Sequence, residues 1–310
     1  MKSNLMSLKA MSKEKMAIIS TPVWLLFAGL IAFGFSNGVV RAIAQTSTVL
    51  EVSFWMAAGT VFGIWASSWF NMKKIYRLPS PKTAAIYICL QVMAFFLFVL
   101  AISLGPASLV GAFFPLEAVV GVVLAAVFLK ERFGGFEASC VAISVLGAIV
   151  VASDTGLEGG FATSAIVASL ASSMAFGAAI PAVRLAAQVN STRSLAAWYA
   201  SICVVLTVPA NIAIPSPELL WLFAISSLIK PVAEICYSSG MARAPVSLAA
   251  SCLPLLGLIT AFWAWVIAGE VPTKMTLVGG ALIASASIGA LLHQSRRARL
   301  RARMIIPLAE

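Results

Sequence analysis

Three ionisable residues stand deep inside long apolar runs of the chain: Glu117, Lys230 and Glu234. A charged side chain at the centre of a bilayer costs ~2.5–3.5 kcal/mol on insertion scales, so such groups face a wet cavity, a ligand or one another. Lys230 and Glu234 are four residues apart and share one helix face, which Tyr237 continues. Two chemistries fit this spacing. Lys230 and Glu234 could form a structural ion pair. Alternatively, Lys230 could attract an anionic group of a solute while Glu234 or Glu117 meets its ammonium or carries a proton. No basic residue lies within one helical turn of Glu117, so no cation on its own helix opposes protonation, and Glu117 is the better proton carrier.

Other polar residues fall in comparable places. Tyr87 and Gln91, again four apart, make the polar face of a third run. Asn37 sits beside Gly34 and Gly38, where a hydrogen bond to a solute and close helix packing are equally good explanations. Trp55 and Trp263 are the more interior of the eight tryptophans and the candidates for solute contact; the rest suit the membrane interface. Pro115 and Pro254 interrupt the backbone hydrogen bonding of their runs and are candidate hinges or passive kinks. Arg41 and Arg184 complement the carbonyl ends of their helices, and Glu131 and Glu270 read as turn or packing residues. The single histidine, His293, and five dispersed cysteines (Cys89, Cys140, Cys203, Cys236, Cys252) have no ligand spacing. No GxxxxGK[ST] phosphate cradle occurs. Neither a metal nor another cofactor is expected.

The elements that must hold these groups follow from composition. Of 310 residues, 61% are hydrophobic and 10% charged, with a mean hydropathy of +1.00. A soluble domain averages about 25% charged residues, so a soluble enzyme is excluded and a polytopic membrane protein implied. The net charge of +10 does not indicate nucleic acid, because the basic residues cluster between apolar runs as juxtamembrane anchors do. Runs of spanning length fall at 22–41, 48–70, 83–104, 107–129, 134–152, 162–183, 194–213, 218–240, 246–268 and 275–293. Placing the N-terminus in the cytosol puts 18 of the 21 basic residues on the inner side, so both termini are expected there. A cleaved signal peptide would also begin with lysines, but 22–41 is too long for one and ends in Arg41.

The two halves repeat one another. Residues 32–45, AFGFSNGVVRAIAQ, match residues 175–188, AFGAAIPAVRLAAQ, at seven of fourteen positions. At a second offset, Pro106, Ser108, Pro115 and Glu131 correspond to Pro245, Ser247, Pro254 and Glu270. A unit with five spans re-enters the membrane inverted, the architecture of secondary transporters. The expected fold is therefore an all-α membrane protein of ten transmembrane helices in two inverted five-helix repeats. Residues 1–21 would be a cytosolic segment, 22–152 the first repeat, 162–293 the second and 294–310 a basic cytosolic tail.

With the motifs at 106–131 and 245–270, the LKERFGG turn at 129–135 and the basic tail, the chain resembles the drug/metabolite transporter superfamily, EamA type. The second turn, AGEVPT, keeps Glu270 but has Val271 where the first has arginine. The resemblance implies secondary transport of a small metabolite across the cytoplasmic membrane, often efflux of amino acids or related solutes, by proton-coupled exchange or facilitated diffusion. Import of a vitamin or nucleoside-like solute by the same fold stays open, as does, in a different class, a membrane-embedded enzyme. The expected partners are a small-molecule substrate and the lipid bilayer, with monomer and homodimer both open.

Overall fold

The computed structural model describes residues 2–130, 134–153, 160–208, 216–243 and 246–305. Glu131, Arg132 and Pro245, on which part of the repeat rests, lie outside the described residues. The elements are α1 (Lys2–Ala44), α2 (Val49–Ser67), α3 (Met72–Ile75), α4 (Pro81–Leu104), α5 (Ala107–Ala112), α6 (Phe114–Phe128), α7 (Gly135–Ala152), α8 (Gly160–Ala186), α9 (Thr192–Thr207), α10 (Pro217–Arg243), α11 (Val246–Ala268) and α12 (Lys274–Ile305). No strand occurs among the described residues. Large apolar side chains such as Ile31, Phe62, Ile86, Phe128, Leu146 and Met174 face outward. In water that surface would be untenable; in lipid it is the required one. Cys89 is on this outer surface too, whereas Cys140, Cys203 and Cys252 are buried.

Among the described residues, eight helical segments are long and apolar enough to cross a membrane. They are Val23–Ala44, Val49–Ser67, Pro81–Leu104, Ala107–Phe128, Gly135–Ala152, Thr163–Ala186, Leu219–Arg243 and Lys274–His293. Two of the ten expected spans are not among them. α9 ends after 16 residues and opens on polar Thr192, Arg193 and Ser194, and in α11, itself 23 residues long, the side chains are described from Cys252 onward, where Cys252–Ala268 is apolar.

Local chemistry sets several boundaries. Thr48 and Glu51 form a reciprocal capping box at the start of α2, with Thr48 N donating to Glu51 Oε2 over 2.8 Å. Pro115, in the first turn of α6, has no N–H to give to the Gly111 carbonyl, and helical bonding lapses at Phe113, splitting the fourth run into α5 and α6. Pro254 lies inside α11, which continues across it.

α1 packs between α10 and α11, and α8 lies along α4 and α6. α2 meets α9 and α10, α7 meets α12, and α11 crosses α5 and α6. Two crossings bring backbone close to backbone, the second with Val151, Leu282 and Ile283 beside it. A β-carbon on Gly111 would sit 2.9 Å from the Gly257 carbonyl oxygen, and one on Gly147 would sit 2.7 Å from that of Gly279. Small residues permit this proximity, which lipid-embedded helices use in place of a hydrophobic driving force. Gly257→Val should accordingly destabilise the bundle by about 1–3 kcal/mol through overpacking, seen as a lower melting temperature of the purified protein in detergent. A wild-type melt would mean that the helices can separate there freely.

Candidate functional site

The buried charges converge on α10. Glu234, 1% exposed, accepts a hydrogen bond on Oε2 from Tyr199 OH at 3.0 Å. Its Oε1 is approached by Tyr87 OH at 3.4 Å and Ser238 Oγ at 3.5 Å. These donors come from α9, α4 and α10 itself, so three helices meet on one carboxylate. Hydroxyl donors are what a carboxylate needs at this depth, since each replaces water lost on burial.

Glu117 lies in the first turn of α6, immediately after the break at Phe113. The N-terminal end of a helix carries partial positive charge and spare N–H groups, so the break gives this carboxylate a favourable seat inside the apolar run. Its Oε1 accepts from Tyr237 OH at 3.1 Å. Tyr237 is held in turn by the edge of Phe33, with ring centroids 5.4 Å apart, and by close approach of its backbone to Gly29. A polar row thus runs from Glu117 through Tyr237 on α10 to Glu234, where Tyr87 and Tyr199 join it.

Lys230 extends the row by one turn. It makes no ion pair with Glu234; its ammonium lies 4.2 Å from the centroid of the Phe95 ring, over the face. This cation–π contact stands beside the charge interaction with Glu234 that the spacing allowed, which acts here beyond ion-pair contact. Tyr87, Gln91 and Phe95 are spaced by four along α4, and the first and last of them face Glu234 and Lys230. Gln91 is buried between them in sequence.

Other candidates make contacts of their own. Asn37 donates through Nδ2 to Thr260 Oγ1 over 3.1 Å and ties α1 to α11. Trp55 packs on Phe54 and Phe223, and Trp263 on Phe35 and Phe262. Pro254 adjoins none of the row's hydrogen bonds. Tyr199, Ser238 and the role of Phe95 went unread in the sequence. Tyr199 could have been found as one of only four tyrosines; Ser238 could have been found as the residue one turn beyond Glu234.

Arg41 and Glu270 do more than complement a helix end and shape a turn. They form an ion pair through Nε and Oε1, while Arg41 Nη1 donates to the Ile102 carbonyl over 2.8 Å. Glu270 Oε2 accepts the Ala107 N–H at 2.9 Å, capping α5. The end of α1, the end of α4, the start of α5 and the turn after α11 are thereby latched together.

Comparison with known proteins shows what the chain is similar to. Residues 163–292 match the EamA-like transporter family. This part of the chain is similar to an EamA-like transporter domain. The pseudopaline exporter CntI of Pseudomonas aeruginosa (strain UCBPP-PA14) is 21% identical over 272 residues, covering 85% of this chain and 94% of that protein. A crystal structure superposes with a TM-score of 0.69 at 17% identity, over 88% of this chain and 98% of the other; that likeness concerns the fold. The chain is thus similar to multi-pass membrane transporters, and among the described residues it has eight helical segments of membrane-spanning length.

Proposed function

We propose that this transporter is a secondary carrier that exports a small charged metabolite across the cytoplasmic membrane by alternating access, in exchange for protons. The observation that carries the proposal is the row of buried ionisable groups facing one another across α4, α6, α9 and α10. Lys230 takes an anionic group of the solute, and Glu117 takes the proton on the return leg. A bare carboxylate crossing in an emptied site would be left uncompensated in an apolar medium, so the return is cheap only once Glu117 is neutralised. Export is supported by the relative that is named an exporter.

Alternating access is assigned to two inverted five-helix halves, 22–152 and 162–293, with α9 and α11 completing ten spans and both termini in the cytosol. The packing pattern supports the inversion. α1 packs on α10 and α11, while its repeat counterpart α8 packs on α4 and α6, the counterparts of α10 and α11. The distribution of 18 of 21 basic residues supports the orientation.

Liposomes containing the purified transporter and a pH-sensitive dye should report proton movement when amino acids and small carboxylated metabolites are applied one at a time. Lys230→Met should weaken the response to carboxylate-bearing compounds by at least tenfold. If no compound moves protons, or if responses ignore Lys230, the carrier mechanism is wrong in that respect.

A further inference from the structure

The stretch 68–82 follows α2, carries α3 and opens α4, and it holds four basic residues, Lys73, Lys74, Arg77 and Lys82. All four are exposed. No acidic residue occurs in the sequence between Glu51 and Glu117, and among the described residues none of the four cations is in an ion pair. Beside them stand two bare aromatic residues, Trp69 at 93% exposure and Phe70 at 53%. A connection lying in water would gain from its cations and lose by its rings. Both are favourable together only where apolar and anionic surroundings meet.

The backbone is arranged for that boundary. Trp69 and Phe70 both have left-handed φ, +51° and +53°, which bulky side chains seldom adopt. The reversal brings the Phe70 ring to 6.3 Å, centroid to centroid, from that of Phe62, which is 56% exposed on the outward side of α2. The turn thus folds back against the lipid-facing wall. The N–H groups of Ser68, Trp69, Phe70, Asn71 and Met72 all donate to carbonyls of the turn itself or of the end of α2, over 2.9–3.1 Å. Water could satisfy these donors in an aqueous loop, but hydrocarbon could not. Tyr76 fixes the far end. Its hydroxyl accepts Trp65 Nε1 at 3.0 Å and lies 2.7 Å from Ser201 Oγ, and its carbonyl accepts Trp198 Nε1 at 3.1 Å. α3 is therefore held firmly between α2 and α9.

We propose that this connection is a lipid-binding foot: Trp69 and Phe70 enter the upper acyl region of the inner leaflet, and Lys73, Lys74 and Arg77 hold the headgroup of an anionic phospholipid. The phosphodiester supplies the anion that the sequence leaves out, and charge-assisted hydrogen bonds from ammonium and guanidinium groups suit its oxygens. The rings set the depth and the cations choose the lipid. Because Tyr76 and Trp198 tie the foot to α9, a lipid bound there braces the first half of the chain against the second.

The test needs no transport substrate and stands apart from the carrier reading. The full-length protein in non-ionic detergent is titrated with phosphatidylglycerol, with phosphatidylcholine of the same chains and with inorganic phosphate, and binding is read from the thermal shift. Phosphatidylglycerol should bind about tenfold more tightly than phosphatidylcholine, or better, and inorganic phosphate should give no shift at the same concentrations. Lys73→Gln, Lys74→Gln and Arg77→Gln combined should bring phosphatidylglycerol down to the level of phosphatidylcholine, with the lipid-free melting temperature within a few degrees of wild type. Arg296→Gln, Arg297→Gln and Arg299→Gln combined remove the same charge from the tail and should keep the preference. In liposomes, the emission that Trp69→Phe removes should be quenched by lipids brominated in the upper acyl chain and resist aqueous iodide. Equal binding of the two lipids, a preference that follows the tail arginines, phosphate acting as well as the lipid, or Trp69 emission open to iodide and blind to brominated lipid would each overturn the assignment.

Discussion

Glu117→Gln should reduce proton-driven transport at least tenfold, to nearly the rate of protein-free liposomes, for any solute that moves protons through the wild-type protein. The amide is close in shape to the acid, and its carbonyl can still accept the Tyr237 hydroxyl that now lies 3.1 Å from Oε1. Its seat at the start of α6 tolerates a neutral group, because the helix end interacts favourably with an anion without requiring one. Folding should therefore survive, and the melting temperature should stay within a few degrees of wild type. What is lost is the ability to exchange a proton for a cationic group, which an amide cannot do at any pH. Dye-reported proton flux, measured beside the melting curve, separates the two effects. A folded variant that still couples solute flux to the gradient would remove Glu117 from the proton path.

The second large effect concerns the Arg41–Glu270 latch. Glu270→Ala should destabilise the protein by about 2–3 kcal/mol, combining a lost helix cap with a guanidinium left without its anion. Both side chains keep some exposure, 17% and 16%, so water reduces the penalty below that of a fully buried pair. Glu270→Gln should lose less, since its carbonyl oxygen can still accept the Ala107 N–H that Oε2 holds at 2.9 Å. Thermal unfolding in detergent ranks the three proteins: wild type, then Gln, then Ala. Equal melting of all three would show that the latch contributes nothing to the bundle.

The residues that stood out in sequence did so by contrast. Glu117, Lys230 and Glu234 were legible because an ionisable group in an apolar run is conspicuous whatever surrounds it. Their partners were not, because Tyr199 reaches Glu234 across two helices and Phe95 looks like any other aromatic in a hydrophobic segment. The spacing of Lys230 and Glu234 allowed an ion pair, and only tertiary placement put the ammonium on a ring. Pro115 and Pro254 illustrate the same limit. Each removes one backbone donor, but helical bonding lapses only beside Pro115, where Gly111 packs bare backbone on α11, and that outcome depends on packing. Arg41 and Glu270 were each given an adequate local explanation, and no local pattern connects residues so far apart in the chain.

The glycine crossings have a mechanical consequence. Gly111 against Gly257 joins the first half of the chain to the second with backbone on backbone, whereas at Gly147 and Gly279 the side chains of Val151, Leu282 and Ile283 also close in. Ridges of leucine or isoleucine would act as teeth, and shifting one helix past another would mean climbing out of a groove. A toothless joint lacks that barrier. At the Gly111–Gly257 crossing, α5 and α11 can therefore shift along one another without unlocking any side chains.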